Sequence, residues 1–139
     1  ALKNVIAIAC GAAIGAGLGE SARAALITRG HSEIIRYAVT KGARSETLAG
    51  LSGFGDLCLT CTSDKSRNYL YGLSLSREGK TTCHNTVEGR ATAQAMLPIL
   101  KRLKIDMPIT EAVAKICSKE ITVSEAMKDL MARPLKKEL

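Results

Sequence analysis

Lys3, Asp56, Ser66, Arg67 and Asn68 are the residues of this 139-residue sequence whose types could do chemistry together. A lysine can take up and return a proton, and a carboxylate beside it can hold it in place while favouring its charged form. The run Ser66-Arg67-Asn68 sets a hydroxyl, a guanidinium and an amide side by side, a donor-rich combination suited to a phosphate group. Upstream of that run, Gly53 and Gly55 bracket the only phenylalanine, Phe54, and lead into Asp56. Plainer readings stand beside these. Residues 51–68 also read as a glycine-rich polar connection between two helices, Lys3 as a solvated terminal lysine, and Arg67 as the partner of Asp64 or Glu88. Glu88 can cap its own helix and can equally accept hydrogen bonds from a ribose.

Two further groups carry less. Cys58 and Cys61 have a redox or metal spacing, with Cys83-His84 as an imagined complement. Adjacent Cys83 and His84 fit a tetrahedral zinc site poorly, and Cys58 does not follow a strand and open a helix, so the cysteines are expected to be inert thiols and no metal is expected. His31, on an arginine-bearing helix, reads as surface or core filler. Gly15, Gly17 and Gly19 alternate and never complete a G-x-G-x-x-G fingerprint, so the sequence offers no dinucleotide-binding turn.

The elements that must position these residues are helices. Hydrophobic residues make up 46% of the sequence and aromatic ones 3%, so one core of Ala, Leu, Ile, Val and Met is expected, built by close helix packing rather than as a sandwich or barrel. An Ala-rich buried helix is expected from Asn4, fraying at Gly17–Gly19, with Lys3 just before it. A second runs from Glu20 to Gly42, with Gly30 as a weak point and Arg23, Arg29, Glu33 and Arg36 on its polar face. Ser45-Glu46-Thr47 can cap a short turn. Ser66 through Leu75 forms a helix ending near Gly79, and Asn85-Thr86-Val87-Glu88 is a capping box weakened by Gly89. Helical spacing then continues through Leu103, Pro108 opens the next helix, and Thr122-Val123-Ser124-Glu125 caps a last one that stops before Pro134. No sheet is expected.

The formal charge of +7 suits an anionic partner. No basic block with interleaved aromatics is present, so a basic helical nucleic-acid-binding module is a distant alternative. Five scattered cysteines fit reduced thiols in a cytoplasmic compartment. The uncharged segment from Asn4 to Gly19 is 16 residues, short of a membrane span. The opening Ala1-Leu2-Lys3 lacks a methionine, which suggests a piece of something longer.

With these residues in view, the sequence resembles the C-terminal substrate domain of bacterial NAD(P)-dependent glycerol-3-phosphate dehydrogenase. The resemblance rests on motifs in order along the chain: the opening L-K-N-V-I-A-I-A, A-A-L-I-T-R-G at 24–30, G-F-G-D-L at 53–57 with L-T-C-T and S-R-N, V-E-G at 87–89, M-P-I-T-E-A-V at 107–113, and R-P-L-K at 133–136. It implies an all-α, compact multi-helix domain of the 6-phosphogluconate dehydrogenase C-terminal type, spanning residues 1–139 and lacking its N-terminal Rossmann domain. It implies interconversion of sn-glycerol 3-phosphate and dihydroxyacetone phosphate with NAD or NADP, for phospholipid precursors. By the same resemblance Lys3 is the proton acceptor and donor; Lys3, Asp56, Thr60, Ser66, Arg67 and Asn68 line the substrate; Arg67, Val87 and Glu88 touch the cofactor. A cytoplasmic homodimer is expected, and the isolated domain is expected to be inactive. A related dehydrogenase of 2-hydroxy acids or sugar derivatives is the close alternative.

Overall fold

In the computed structural model, residues 2–43, 51–77 and 88–132 are described. Among them the secondary structure is helical throughout: α1 (Leu2–Gly15), α2 (Glu20–Thr40), α3 (Leu51–Thr62), α4 (Arg67–Arg77), α5 (Glu88–Leu103), α6 (Pro108–Cys117) and α7 (Val123–Ala132). The all-α expectation holds. Helix α1 is the axis, and every other described helix packs against it. Its unbroken stretch Val5–Ala13 is buried. A helix apolar all round belongs inside a protein, and here the surrounding helices cover it on every side.

The small residues of α1 serve that packing. A Cβ on Gly11 would run into the backbone of Tyr69 and Leu73, and one on Gly72 into the backbone of Ile8 and Ala12, so α1 and α4 cross at a distance only glycine allows. The Ser76 hydroxyl donates to the Ala12 carbonyl at 2.6 Å and ties the same pair. The small-residue face of α1 is therefore occupied within the chain. Gly30 is no weak point: it lets α2 close onto the Ile6 side chain.

Three expectations need correction. Lys3 lies in the first turn of α1 rather than before it. The stretch read as a glycine-rich connection is mostly helix, α3, because its apolar positions Leu57 and Cys61 bury one face at helical spacing. Glu33, assigned to the polar face of α2, is buried. It caps α6, accepting the Ile109 N–H at 2.7 Å and the Thr110 N–H at 3.1 Å, where Met107 and Pro108 supply no side-chain cap.

Other starts and stops follow the sequence. Ser66 caps α4, its hydroxyl oxygen accepting the Tyr69 N–H at 3.3 Å. Thr122 and Glu125 form the reciprocal capping box, both bonds 3.1 Å. The turn at Ser45–Thr47, the capping box from Asn85 and the end at Pro134 lie outside the described residues. Among the described residues, no helix is long and apolar enough to cross a membrane.

Candidate functional site

The first turns of α1, α4 and α5 meet. Adjacent residues on α1 reach in two directions: the Lys3 Nζ donates to Asp56 Oδ2 on α3 at 2.7 Å, and the Asn4 Nδ2 donates to Glu88 Oε2 at the start of α5 at 3.2 Å. One residue on, the Gly89 N–H donates to Asn68 Oδ1 in the first turn of α4 at 2.9 Å. Three helix N-termini therefore face one region, each bringing the positive end of its dipole. Such a convergence favours an anion.

Lys3 and Asp56 are both partly open to solvent, with side-chain exposures of 43% and 56%. Their ion pair is therefore worth little to stability, which leaves the amine accessible for chemistry. Arg67 is exposed, and its guanidinium has no hydrogen-bond or ion-pair partner among the described residues; neither Asp64 nor Glu88 takes it. The Thr60 hydroxyl donates back to the Asp56 carbonyl at 2.9 Å, which steadies the turn of α3 that carries Asp56. Ser66 spends one lone pair on its cap and keeps a hydroxyl proton to give. Glu88 is exposed with one oxygen held by Asn4. Val87 lies outside the described residues. Lys3 also borders an open groove of about 450 Å³, lined with Leu2, His31, Ile34, Tyr37 and Gly53.

The structure thus brings Lys3 to Asp56, and Asn68 to the start of α5. The structure adds Asn4 and Gly89 to this cluster. Asn4 stands next to Lys3 in sequence, but an asparagine in a helix has no signal of its own. Gly89 was read only as weakening a cap, whereas a Cβ there would stand 2.6 Å from Asn68 Oδ1 and 2.8 Å from the Asn4 carbonyl oxygen.

Cys10, Cys61 and Cys117 are buried. The Cys10 thiol is pushed far up by its hydrogen bond with Cys61 and by burial, and burial pushes the Cys117 thiol up. No cluster of metal-ligating side chains occurs among the described residues, and Cys83-His84 fall outside them. His31 is half-buried, its ring set edge-on to Phe54 with centroids 5.0 Å apart.

Residues 1–128 match the family model described as NAD-dependent glycerol-3-phosphate dehydrogenase C-terminus. The chain is 56% identical over 138 residues to a glycerol-3-phosphate dehydrogenase (NAD(P)+) of Ruegeria sp., covering 99% of this chain and 43% of that protein. It is 57% identical to the protein of the same name from Roseobacter denitrificans, with the same coverage. Among solved structures it is similar to glycerol-3-phosphate dehydrogenase from Coxiella burnetii, with a TM-score of 0.88 at 37% identity, covering 95% of this chain and 42% of that one. The yeast enzyme from Saccharomyces cerevisiae superposes with a TM-score of 0.82 at 28% identity, covering 96% and 40%. The chain spans less than half the length of the curated relatives it matches.

Proposed function

Since this chain belongs to the family of NAD-dependent glycerol-3-phosphate dehydrogenase C-termini, we propose that it is the substrate-side domain of a longer oxidoreductase. That enzyme interconverts sn-glycerol 3-phosphate and dihydroxyacetone phosphate with NAD or NADP. The observation that carries this reading is the meeting of three helix N-termini around Lys3, Arg67 and Asn68, which suits a small phosphorylated substrate with a hydroxyl to deprotonate.

In the direction of oxidation the Lys3 amine accepts the proton of the C2 hydroxyl, and in reduction the ammonium returns it. Asp56, at 2.7 Å, orients the amine and balances its charge when protonated. Arg67 grips the phosphate through its fork, and Ser66, Asn68 and the free amides of α4 add donors. Bound nicotinamide supplies the acceptor or donor of the hydride at C2. The described residues fit part of such a cofactor: Glu88 has a carboxylate oxygen free for a ribose hydroxyl, and Arg67 lies exposed one helix away. They do not form a phosphate cradle, for Gly17 and Gly19 sit in an open turn with nothing close to them. The cradle belongs to a preceding dinucleotide-binding domain, without which this domain is inactive. The assignment to the 6-phosphogluconate dehydrogenase C-terminal type, the homodimer and the cytoplasmic location are part of the same proposal.

Assay of the full-length protein with glycerol 3-phosphate and each nicotinamide cofactor, alongside Lys3→Ala, tests it. Turnover by the wild type and a loss of about 100-fold or more in K3A, with retained folding, is expected. Full activity in K3A overturns the role of Lys3.

A further inference from the structure

Gly89 meets Asn68 through its backbone amide, at a position where no side chain would fit. Its N–H donates to Asn68 Oδ1, and its missing Cβ leaves room for that same oxygen, the Ile8 Cδ1 and the Asn4 carbonyl, which an added methyl would meet at 2.6, 2.7 and 2.8 Å. A side-chain amide has an acceptor end and a donor end. An N–H can only donate, so it draws the Asn68 oxygen inward and turns the NH2 away. No described residue accepts from that NH2. The same close approach brings the first turn of α5 against α1, where Glu88 meets Asn4.

We propose that Gly89 is a positioning residue which sets the Asn68 amide so that its NH2, and not its oxygen, faces the ligand beside Arg67. The edge formed by Arg67 and Asn68 then carries only donors, matching an oxyanion and repelling nothing on it. The inference rests on the glycerophosphate reading and adds the device that selects for the phosphate end.

A double-mutant cycle in the full-length protein tests it, with Gly89→Ala, Asn68→Asp and the pair. Asp at 68 keeps an acceptor for the Gly89 N–H but has no donor and sets a negative charge against the phosphate. Each single change is expected to raise KM for glycerol 3-phosphate by about tenfold or more with a smaller change in kcat. The pair is expected to add less than about twofold to N68D, because Gly89 acts through Asn68. Effects that multiply, or a wild-type KM in G89A, overturn the inference. Should G89A not fold, the side-chain NH2 signals of Asn68 in 15N-labelled wild-type protein decide. They are expected to shift saturably with glycerol 3-phosphate, and signals that stay fixed in an enzyme that turns this substrate over sink the inference alone. Absence of turnover in the wild type overturns the dehydrogenase reading beneath it.

Discussion

Glu33 and Thr110 are joined twice: the Glu33 carboxylate accepts the amide and the hydroxyl of Thr110, both at 3.1 Å, inside the core between α2 and α6. Burial pushes this carboxyl up to about 7, outweighing the bonds from Ile109 and Thr110 and the nearby Arg36, which pull it down. The folded state therefore holds the proton more tightly than the unfolded chain, where the ordinary value is 4.5.

Stability should accordingly fall as pH rises. The contribution from Glu33 is full below about pH 4.5, declines up to about pH 7 and is flat above, a change on the order of 3 kcal/mol. Glu33→Gln keeps an acceptor and removes the titration. Urea unfolding at pH 5 and pH 8 should show a drop in the wild type that is absent from E33Q, and equal drops in both would assign the effect elsewhere.

Arg67 should matter to substrate binding and not to folding, since it is exposed and unpaired among the described residues. In the full-length protein Arg67→Ala is expected to raise KM for glycerol 3-phosphate by about tenfold or more at unchanged melting temperature. Arg67→Lys should recover only part, because a point charge lacks the planar fork. Equal KM values in wild type and R67A would remove Arg67 from the phosphate.

The glycines of α3 and α4 should respond in opposite ways. A Cβ on Gly72 meets backbone atoms of Ile8 and Ala12, which cannot swing aside, whereas one on Gly55 meets nothing within 4 Å. Chemical denaturation should place Gly72→Ala about 2 kcal/mol or more below wild type. Gly55→Ala should gain about 0.5–1 kcal/mol from helix propensity. A neutral G72A would mean that α1 and α4 are free to move apart.

Thr122→Ala should cost about 1 kcal/mol by removing the cap of α7. The Glu125 carboxyl is held below its ordinary value by hydrogen bonds from the Thr122 amide and hydroxyl side. That part of the stabilisation is present above the ordinary value of 4.5 and is lost as pH falls. The gap in melting temperature between wild type and Glu125→Ala should therefore narrow in acid, since only the wild type has a carboxylate to accept the Thr122 N–H; a gap constant from pH 7 to pH 3 would exclude the carboxylate's part in the box.

Much of the fold was legible because local rules and tertiary packing agree. The capping box at Thr122, the proline opening α6 and the apolar run of α1 each state their own structure within a few residues. The exception was residues 51–62. Two glycines suggested a connection, and only burial of Leu57 and Cys61 against the core makes the segment helical.

The sequence by itself determined an all-helical chain and singled out Lys3, Asp56 and the Ser66-Arg67-Asn68 run as residues whose types could do chemistry, since side-chain type and helical periodicity are local properties. Only the tertiary structure decided which of them meet. Lys3 reaches Asp56 across 53 positions, Asn4 reaches Glu88 across 84, and the Gly89 N–H meets the Asn68 amide oxygen across 21. Those pairings depend on where α1, buried from Val5 to Ala13, lets the starts of α4 and α5 approach, and a backbone contact made by a missing side chain leaves no mark on the residues beside it.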